Sequence, residues 1–384
     1  MNVQRVLAVA HKEWRETVRD RIYFLLAFLL PAMLMLVWGY GMSQDVENVA
    51  LVVLDQDRSR LSRDYTHHFT DSRYFAFGGY LGSQREIDPL LADGRARLAL
   101  VIPPGFGADL MSGRNAQVQT LIDGTFTTSA RTIQGYVEAI NAAANAELQA
   151  GFLMRKAGIA ADRAAHWLNP VRLEVRYLYN QPLKSIWSVA PSLVMLTLTL
   201  TTPLLMALSV VREKETGAIY NMYASTVSRG EYLLGKLLPN MAIAGINAVA
   251  LWLLAVFWFG AAFKGGLAFF AVATLLYILC FSGVGLFISL LVRTQQAALI
   301  ISVVFSVIIS TQFAGMFVPV FSMTGANYVI AHLLPPMYFN ILLQGTFLKG
   351  VGWEALWVNL LVFAAYAIGL WLLCLRMLRK RTRS

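Results

Sequence analysis

The chain has 384 residues, 57% of them hydrophobic and only 14% charged, with a mean hydropathy of +0.56. These values exclude an ordinary soluble domain and place the chain among membrane proteins. The formal net charge of +10 calls for no nucleic-acid partner, because basic residues gather beside apolar runs, where they set topology and attract an anionic leaflet.

Residues 1–21 read as a cytoplasmic interfacial amphipathic helix, since Val6, Ala10, Trp14 and Val18 recur at i+4 with charges opposite. A cleaved signal peptide is the competing reading, because Gly39-Tyr40-Gly41 mimics a small-x-small site. The apolar run at 22–41 is too long for that, and it becomes the first of six expected spans. The others lie at 186–211, 237–263, 267–292, 297–321 and 355–375, each able to cross a hydrocarbon core of ~30 Å.

Lys and Arg set the orientation. Arg5, Lys12, Arg15, Arg19 and Arg21 precede the first span, Arg212, Lys214, Arg229 and Lys236 lie between the second and third, and Arg376, Arg379, Lys380, Arg381 and Arg383 follow the last. By the positive-inside rule both termini and the 211–236 loop are cytoplasmic, and residues 42–185 are exported, periplasmic or extracellular.

The exported segment reads as an α/β (α+β) domain, with strands at 49–54, 74–77, 98–102, 118–122 and 171–179 and helices near 59–69, 84–92 and 128–156. Its LVVLDQDRS run is an apolar strand followed by DxD, as in haloacid dehalogenase phosphotransferases. No later acidic pair completes a magnesium site, so Asp57 or Ser59 is expected to cap the next helix instead. The adjacent His67-His68 cannot share a helix face as metal ligands. No catalytic residue and no metal site is nominated, and the chain is not expected to be an enzyme. Cys280 and Cys374 fall inside spans, where they are expected to pack as small apolar residues.

Away from their edges the spans contain no Asp, Glu, Lys, Arg or His, so the energy for any transport is expected from outside them. Uncharged polar residues do line up: Ser302, Ser306 and Ser310 with Gln312 at one end, and Thr197 and Thr201 among the threonines of the second span. These six are candidates for a mildly polar translocation pathway, against the alternative of packing through small side chains. Residues 322–352 are too broken to cross and too apolar for a plain loop, which suggests exported re-entrant helices around Pro335-Pro336.

The most informative stretch is the charged island between the second and third spans. Gly230 to Lys236 nearly fits GxxxxGK, but Leu237 follows where a magnesium-binding Ser or Thr belongs and no buried strand precedes. The run is expected to be an interfacial helix that ends where the third span begins.

REKETGAIYNMYASTVSRGEYLLGK resembles the cytoplasmic loop of ABC-2 type permeases, in which a REKExGT stretch begins a helix and SRxExLxGK closes it. The resemblance runs along the whole chain: Lys12-Glu13-Trp14-Arg15-Glu16 in the first helix, LVVLDQDRSRLSRDY opening the exported domain, and Pro335-Pro336-Met337-Tyr338-Phe339 before the last span. The sequence departs from the pattern at Ala218, Tyr220 and Ser225-Thr226, where the family often has Thr, an acidic residue and Thr-Pro. The layout is similar to permeases encoded beside ATPases and periplasmic adaptors in bacterial drug-export systems.

The resemblance implies a mainly α membrane protein with six transmembrane helices of ABC-2 exporter type, in a bacterial inner membrane. It implies a permease subunit for a hydrophobic or amphipathic compound, working with a second permease copy or homologue, a periplasmic adaptor protein and membrane lipid. No cofactor is expected on this chain; ATP and Mg would come with a cytosolic ABC ATPase subunit, coupled through Arg212, Glu213, Lys214, Glu215, Gly217, Arg229 and Glu231. A membrane-anchored scaffold or receptor with an exported binding domain and no transport is the alternative.

Overall fold

The computed structural model describes residues 2–42, 46–157, 178–181 and 184–377. They divide into two compact units, Gln44–Arg176 and the flanking Met1–Ser43 with Tyr177–Ser384. The strand expected at 171–179 lies largely outside the described residues.

The chain opens with α1 (Val3–Arg19), capped by the Asn2 side chain, which accepts from the Gln4 amide. Asp20 breaks it and accepts from the amides of Ile22 and Tyr23, starting α2 (Arg21–Gly41) in a new direction. A polar cap at such a corner satisfies amide groups that the new helix leaves without partners.

The smaller unit contains β1 (Val49–Asp55), α3 (Arg60–Thr70), β2 (Phe75–Tyr80), α4 (Ile87–Ala92), β3 (Leu98–Ile102), α5 (Phe106–Ser112), β4 (Gln119–Ile122) and α6 (Thr127–Ala157). Its sheet has the order β2-β1-β3-β4, with β1 parallel to both neighbours and β4 antiparallel to β3. Alternate residues serve opposite faces. Leu51, Val53, Leu98 and Leu100 pack with Tyr65 and Phe69 of α3 and Ile133 and Val137 of α6. Val52, Leu54, Ala99 and Val101 pack with Ile87 of α4. The second strand extends to Tyr80, beyond the expected 77, because the ladder absorbs a register shift between Leu51 and Val52.

The DxD run closes loops. Ser59 caps α3 by accepting from the Ser62 amide, while Asp57 reaches the next turn and accepts from the amides of Gly105 (2.9 Å) and Gly107 (3.0 Å). The Ser59 hydroxyl and these backbone amides hold the Asp57 carboxyl below the usual carboxylate range. Its contribution is present above the unfolded-state pKa and is lost as pH falls through the lower folded value. Asp57→Ala is expected to weaken this corner by about 1 kcal/mol, so amides 105–107 of the full chain should exchange about fivefold faster. Unchanged exchange would show that Asp57 does not hold the turn.

The larger unit continues with α7 (Ser185–Glu215), α8 (Ile219–Ala224), α9 (Arg229–Trp258), α10 (Leu267–Leu291) and α11 (Gln295–Phe313). It closes with α12 (Ala326–His332), α13 (Pro335–Gln344) and α14 (Trp353–Met377). Among the described residues six helices are long and apolar enough to cross a membrane: α2, α7, α9, α10, α11 and α14. Helix α7 is the axis. Its most apolar 18-residue window is 100% buried, against 28% for α2 and 22% for α14. It touches α2, α9, α10, α11 and α13, so the peripheral helices keep much of their surface outside the bundle.

Span ends differ from the expected ones. Nothing in Arg212-Glu213-Lys214-Glu215 breaks a helix, so α7 runs to Glu215 and stops where Gly217 adopts a φ of +75°. Helix α11 ends at Phe313, short of 321, just before Gly315 turns the chain with a φ of +78°. The segment 322–352 folds into α12, α13 and a π-helical turn at Gly345–Lys349. Helix α13 packs into the main core, with Phe339 stacked on Tyr277 (ring centroids 3.9 Å apart), and Asn340 accepts from Ser192 and donates to the Ala314 carbonyl. Cys280 and Cys374 are both buried and unbridged.

Candidate functional site

The island's charges converge on the junction of α1, α7 and α9. Lys236 is buried, with its side chain 1% exposed; its ammonium donates to Glu13 of α1 and to the Ser209 carbonyl at 3.0 Å, and pairs with Glu213 of α7 at 3.1 Å. Glu213 also accepts from Lys12 and from the Tyr232 hydroxyl, each at 2.7 Å. Two ammonium groups thus face two carboxylates, with Lys236, Glu13 and Glu213 buried and Lys12 half-exposed at the edge. Single charges in such a place would be prohibitive, and mutual pairing offsets the desolvation.

Burial raises the Glu13 pKa, against the opposing pull of Lys236. At Lys12 burial pulls the other way, but the hydrogen bond and charge of Glu213 outweigh it and hold the ammonium above its ordinary value. Oxygens of Glu13, Glu16 and Glu213 lie within 4.8 Å of one another. Lys12 and Lys236 already supply there the positive charge that a metal ion would bring.

The run resembling a phosphate loop has a different use. Arg229 to Lys236 lies inside the continuous helix α9, which corrects the expectation of a separate interfacial helix ending at the span. A β-carbon on Gly235 would stand 2.5 Å from the Val9 β-carbon, so this glycine lets α1 lie against α9. Lys236, one residue on, then meets Glu13. Ser228 and Glu231 form a capping box, and Glu231 additionally accepts from the Asn2 amide at 2.6 Å. Arg5 donates to the Thr226 carbonyl at 2.7 Å.

The other expected coupling residues are also engaged with the bundle. Arg212 pairs with Asp20 at 3.0 Å, Lys214 donates to the Ser289 carbonyl, and Glu215 accepts from the Gln295 side chain at 2.6 Å, beside the start of α11. Glu213 and Glu231 are 6% and 3% exposed, whereas Tyr220 is 60% exposed and Arg229 is also at the surface. The charged residues fix the island's position, and its outward face is carried by the turn between α7 and α9.

The two polar rows of the expected pathway face each other. The Ser306 hydroxyl donates to the Thr199 carbonyl at 2.8 Å, and Thr201 donates to the Thr197 carbonyl. Thr197, Thr201, Ser302, Ser306 and Ser310 are all buried, while Gln312 is exposed. Among the described residues the buried hydroxyls of Ser302, Ser310 and Thr202 have no hydrogen-bond partner.

Lys236, Glu13, Lys12 and Tyr232 were not foreseen as members of the site. The signal was present in a lysine one helical turn after Tyr232, directly following a glycine, at the head of an apolar helix.

Residues 21–376 match the model of a family described as ABC-2 family transporter protein. Over 366 residues the chain is 29% identical to the probable multidrug ABC transporter permease YbhS of Escherichia coli, covering 95% of this chain and 94% of that one. It is 26% identical to the probable multidrug ABC transporter permease YbhR of the same organism, covering 94% and 95%. The inner membrane transport permease YhhJ of Escherichia coli is 23% identical, covering 86% and 85%.

Proposed function

The chain belongs to the ABC-2 family of transporter proteins, and from that premise we propose that it is the permease subunit of an ATP-driven exporter whose ATPase is a separate cytosolic protein. The observation that carries the reading is the anchoring of the island. Arg212, Glu213, Lys214, Glu215 and Glu231 tie it to α1, α9, α10 and α11, so a push on its outward face is passed to several helices together. Its GxxxxGK-like run is helical, and its lysine is held between two carboxylates. A helical run with its lysine so held is unsuited to wrapping a phosphate, which supports the reading that ATP and Mg are bound by the partner.

In this reading the island and both termini are cytoplasmic, residues 42–185 are periplasmic, the membrane is the bacterial inner membrane, and a second permease copy or homologue completes the pathway. A periplasmic adaptor protein is the expected partner of the exported unit. The substrate class is hydrophobic or amphipathic, because the candidate pathway between α7 and α11 offers hydroxyls and no charge. Closed as it is here, it leaves three hydroxyls unpartnered, at a cost on the order of 1–3 kcal/mol each. An open state that wets Ser302 and Ser310 removes that cost.

Ser302→Ala with Ser310→Ala is therefore expected to raise the unfolding temperature slightly and to slow transport severalfold. Wild-type export with an unchanged unfolding temperature would remove these serines from the pathway. The function itself is tested by ATP-driven uptake of an amphipathic dye into inverted vesicles holding this chain and its ATPase. Arg229→Glu at the exposed start of α9 should abolish ATPase association and uptake together; a scaffold would show no ATP-dependent uptake at all.

A further inference from the structure

Helix α1 carries three faces, of which the charge cluster and its packing occupy one. Val6, Glu13 and Thr17 are buried against the bundle. Val3, Leu7, Trp14 and Val18 form an apolar stripe, 64%, 56%, 37% and 46% exposed. A stripe at that helical spacing on a helix beside the first span lies in the membrane interface. The row next to it is His11, Arg15 and Arg19, spaced i, i+4, i+8, all exposed.

Between this row and the end of α7 lies a groove of about 590 Å³, lined by His11, Lys12, Arg15, Glu16, Arg19, Asp20 and Arg212 together with Ala8. Its two carboxylates are taken: Glu16 by Lys12 at 3.7 Å and Asp20 by Arg212 at 3.0 Å. Among the described residues Arg15 and Arg19 have no ion pair. Two guanidinium groups one helical turn apart are thus left without counter-ions at the depth where the apolar stripe of the same helix enters lipid.

We propose that Arg15 and Arg19, with His11 and the Arg212 corner, bind the phosphate of an anionic phospholipid headgroup, whose acyl chains lie along Val3, Leu7, Trp14 and Val18. Guanidinium forks match phosphate oxygens in pairs, and the adjoining apolar stripe favours a lipid over a free anion. The lipid would hold α1 at the membrane surface while Glu13 holds it to Lys236, so that α1 moves with the bundle in the plane of the headgroups. Lipid binding is read without transport, so its failure is separable from failure of the proposed function.

The test is native mass spectrometry of the full chain released from nanodiscs of equal phosphatidylglycerol and phosphatidylcholine. Wild type is expected to retain phosphatidylglycerol preferentially. Arg15→Gln with Arg19→Gln should lower that retention at least fivefold, while Arg85→Gln, in the other unit, should not alter it. Inorganic phosphate at millimolar concentration should fail to displace the lipid. Equal retention of the two lipids by wild type overturns the proposal, as does unchanged phosphatidylglycerol retention in the double variant or displacement by phosphate. Loss of ATPase association with lipid retention intact would assign the groove to a protein partner and equally overturn it. Should the double variant fail to fold, the lipid preference and its weakening by salt in the wild-type chain decide the matter.

Discussion

Lys236→Met is expected to destabilise the protein by about 3–5 kcal/mol, the usual cost of removing one member of a buried ion pair. The methionine fills most of the lysine's volume, so the loss comes from Glu13 and Glu213, which keep their burial and lose the ammonium between them. Lys12 compensates chiefly at Glu213, where it already donates, whereas Glu13 loses the ammonium that donates to it. Adding Glu13→Gln to Lys236→Met should recover part of the stability, because an amide is cheaper to bury than an unpaired carboxylate. The measurement is the denaturation midpoint of the full chain in detergent, for both single variants and the pair. If Lys236→Met stays within about 1 kcal/mol of wild type, the cluster does not hold α1 to the bundle. Near additivity of the two changes would also count against direct pairing.

Gly285→Val should be as damaging, for steric reasons. A β-carbon there falls on the Pro203 carbonyl oxygen, 2.7 Å from the Pro203 Cα and 2.9 Å from the Met206 Cβ. Two of these are backbone atoms of α7, which no rotamer change can move. Helix α10 must then withdraw from the axis of the bundle, at an expected cost of about 3 kcal/mol, at the upper end for overpacking. Gly245→Ala, where among the described residues nothing beyond its own helical turn lies within 4 Å of the new carbon, should be neutral or slightly stabilising, since alanine is the better helix former. The comparison is of thermal unfolding and monodisperse yield for the two variants; equal behaviour would mean that α7 and α10 do not approach this closely.

Much of the fold was legible because it rests on periodicities that the chain carries locally. Six long apolar runs correspond to the six membrane-length helices found among the described residues, and β1 and β3 follow from short apolar runs bounded by turn residues. The broken segment 322–352 showed its short helices through half-apolar stretches around Pro335-Pro336. Boundaries were less legible. The charges of Arg212-Glu213-Lys214-Glu215 looked like the end of a span, but charge does not break a helix, and α7 continues to the first residue with positive φ.

The candidate site was half legible. Its residues on the island stood out as charges beside apolar runs, and their partners did not. Glu13 and Lys236 are 223 positions apart, and each alone reads as an edge charge that sets topology. Asp20, Ser289 and Gln295 likewise gave no sign of holding Arg212, Lys214 and Glu215. The serine row of α11 and the threonines of α7 were visible as patterns, but which surface each faced depends on the packing of one helix against the other.

The sequence by itself determined that this is a six-span membrane protein with a separate strand-containing unit, because hydropathy and alternation are properties of neighbours along the chain. It also determined, through the order of its motifs, the family to which the chain belongs. Only the tertiary structure decided that Gly235 and Lys236 serve helix packing and a buried ion cluster rather than a phosphate. The reason is that a charge's role is fixed by what neutralises it. In the folded chain Lys236 is neutralised by carboxylates from α1 and α7, helices that only packing brings to its side.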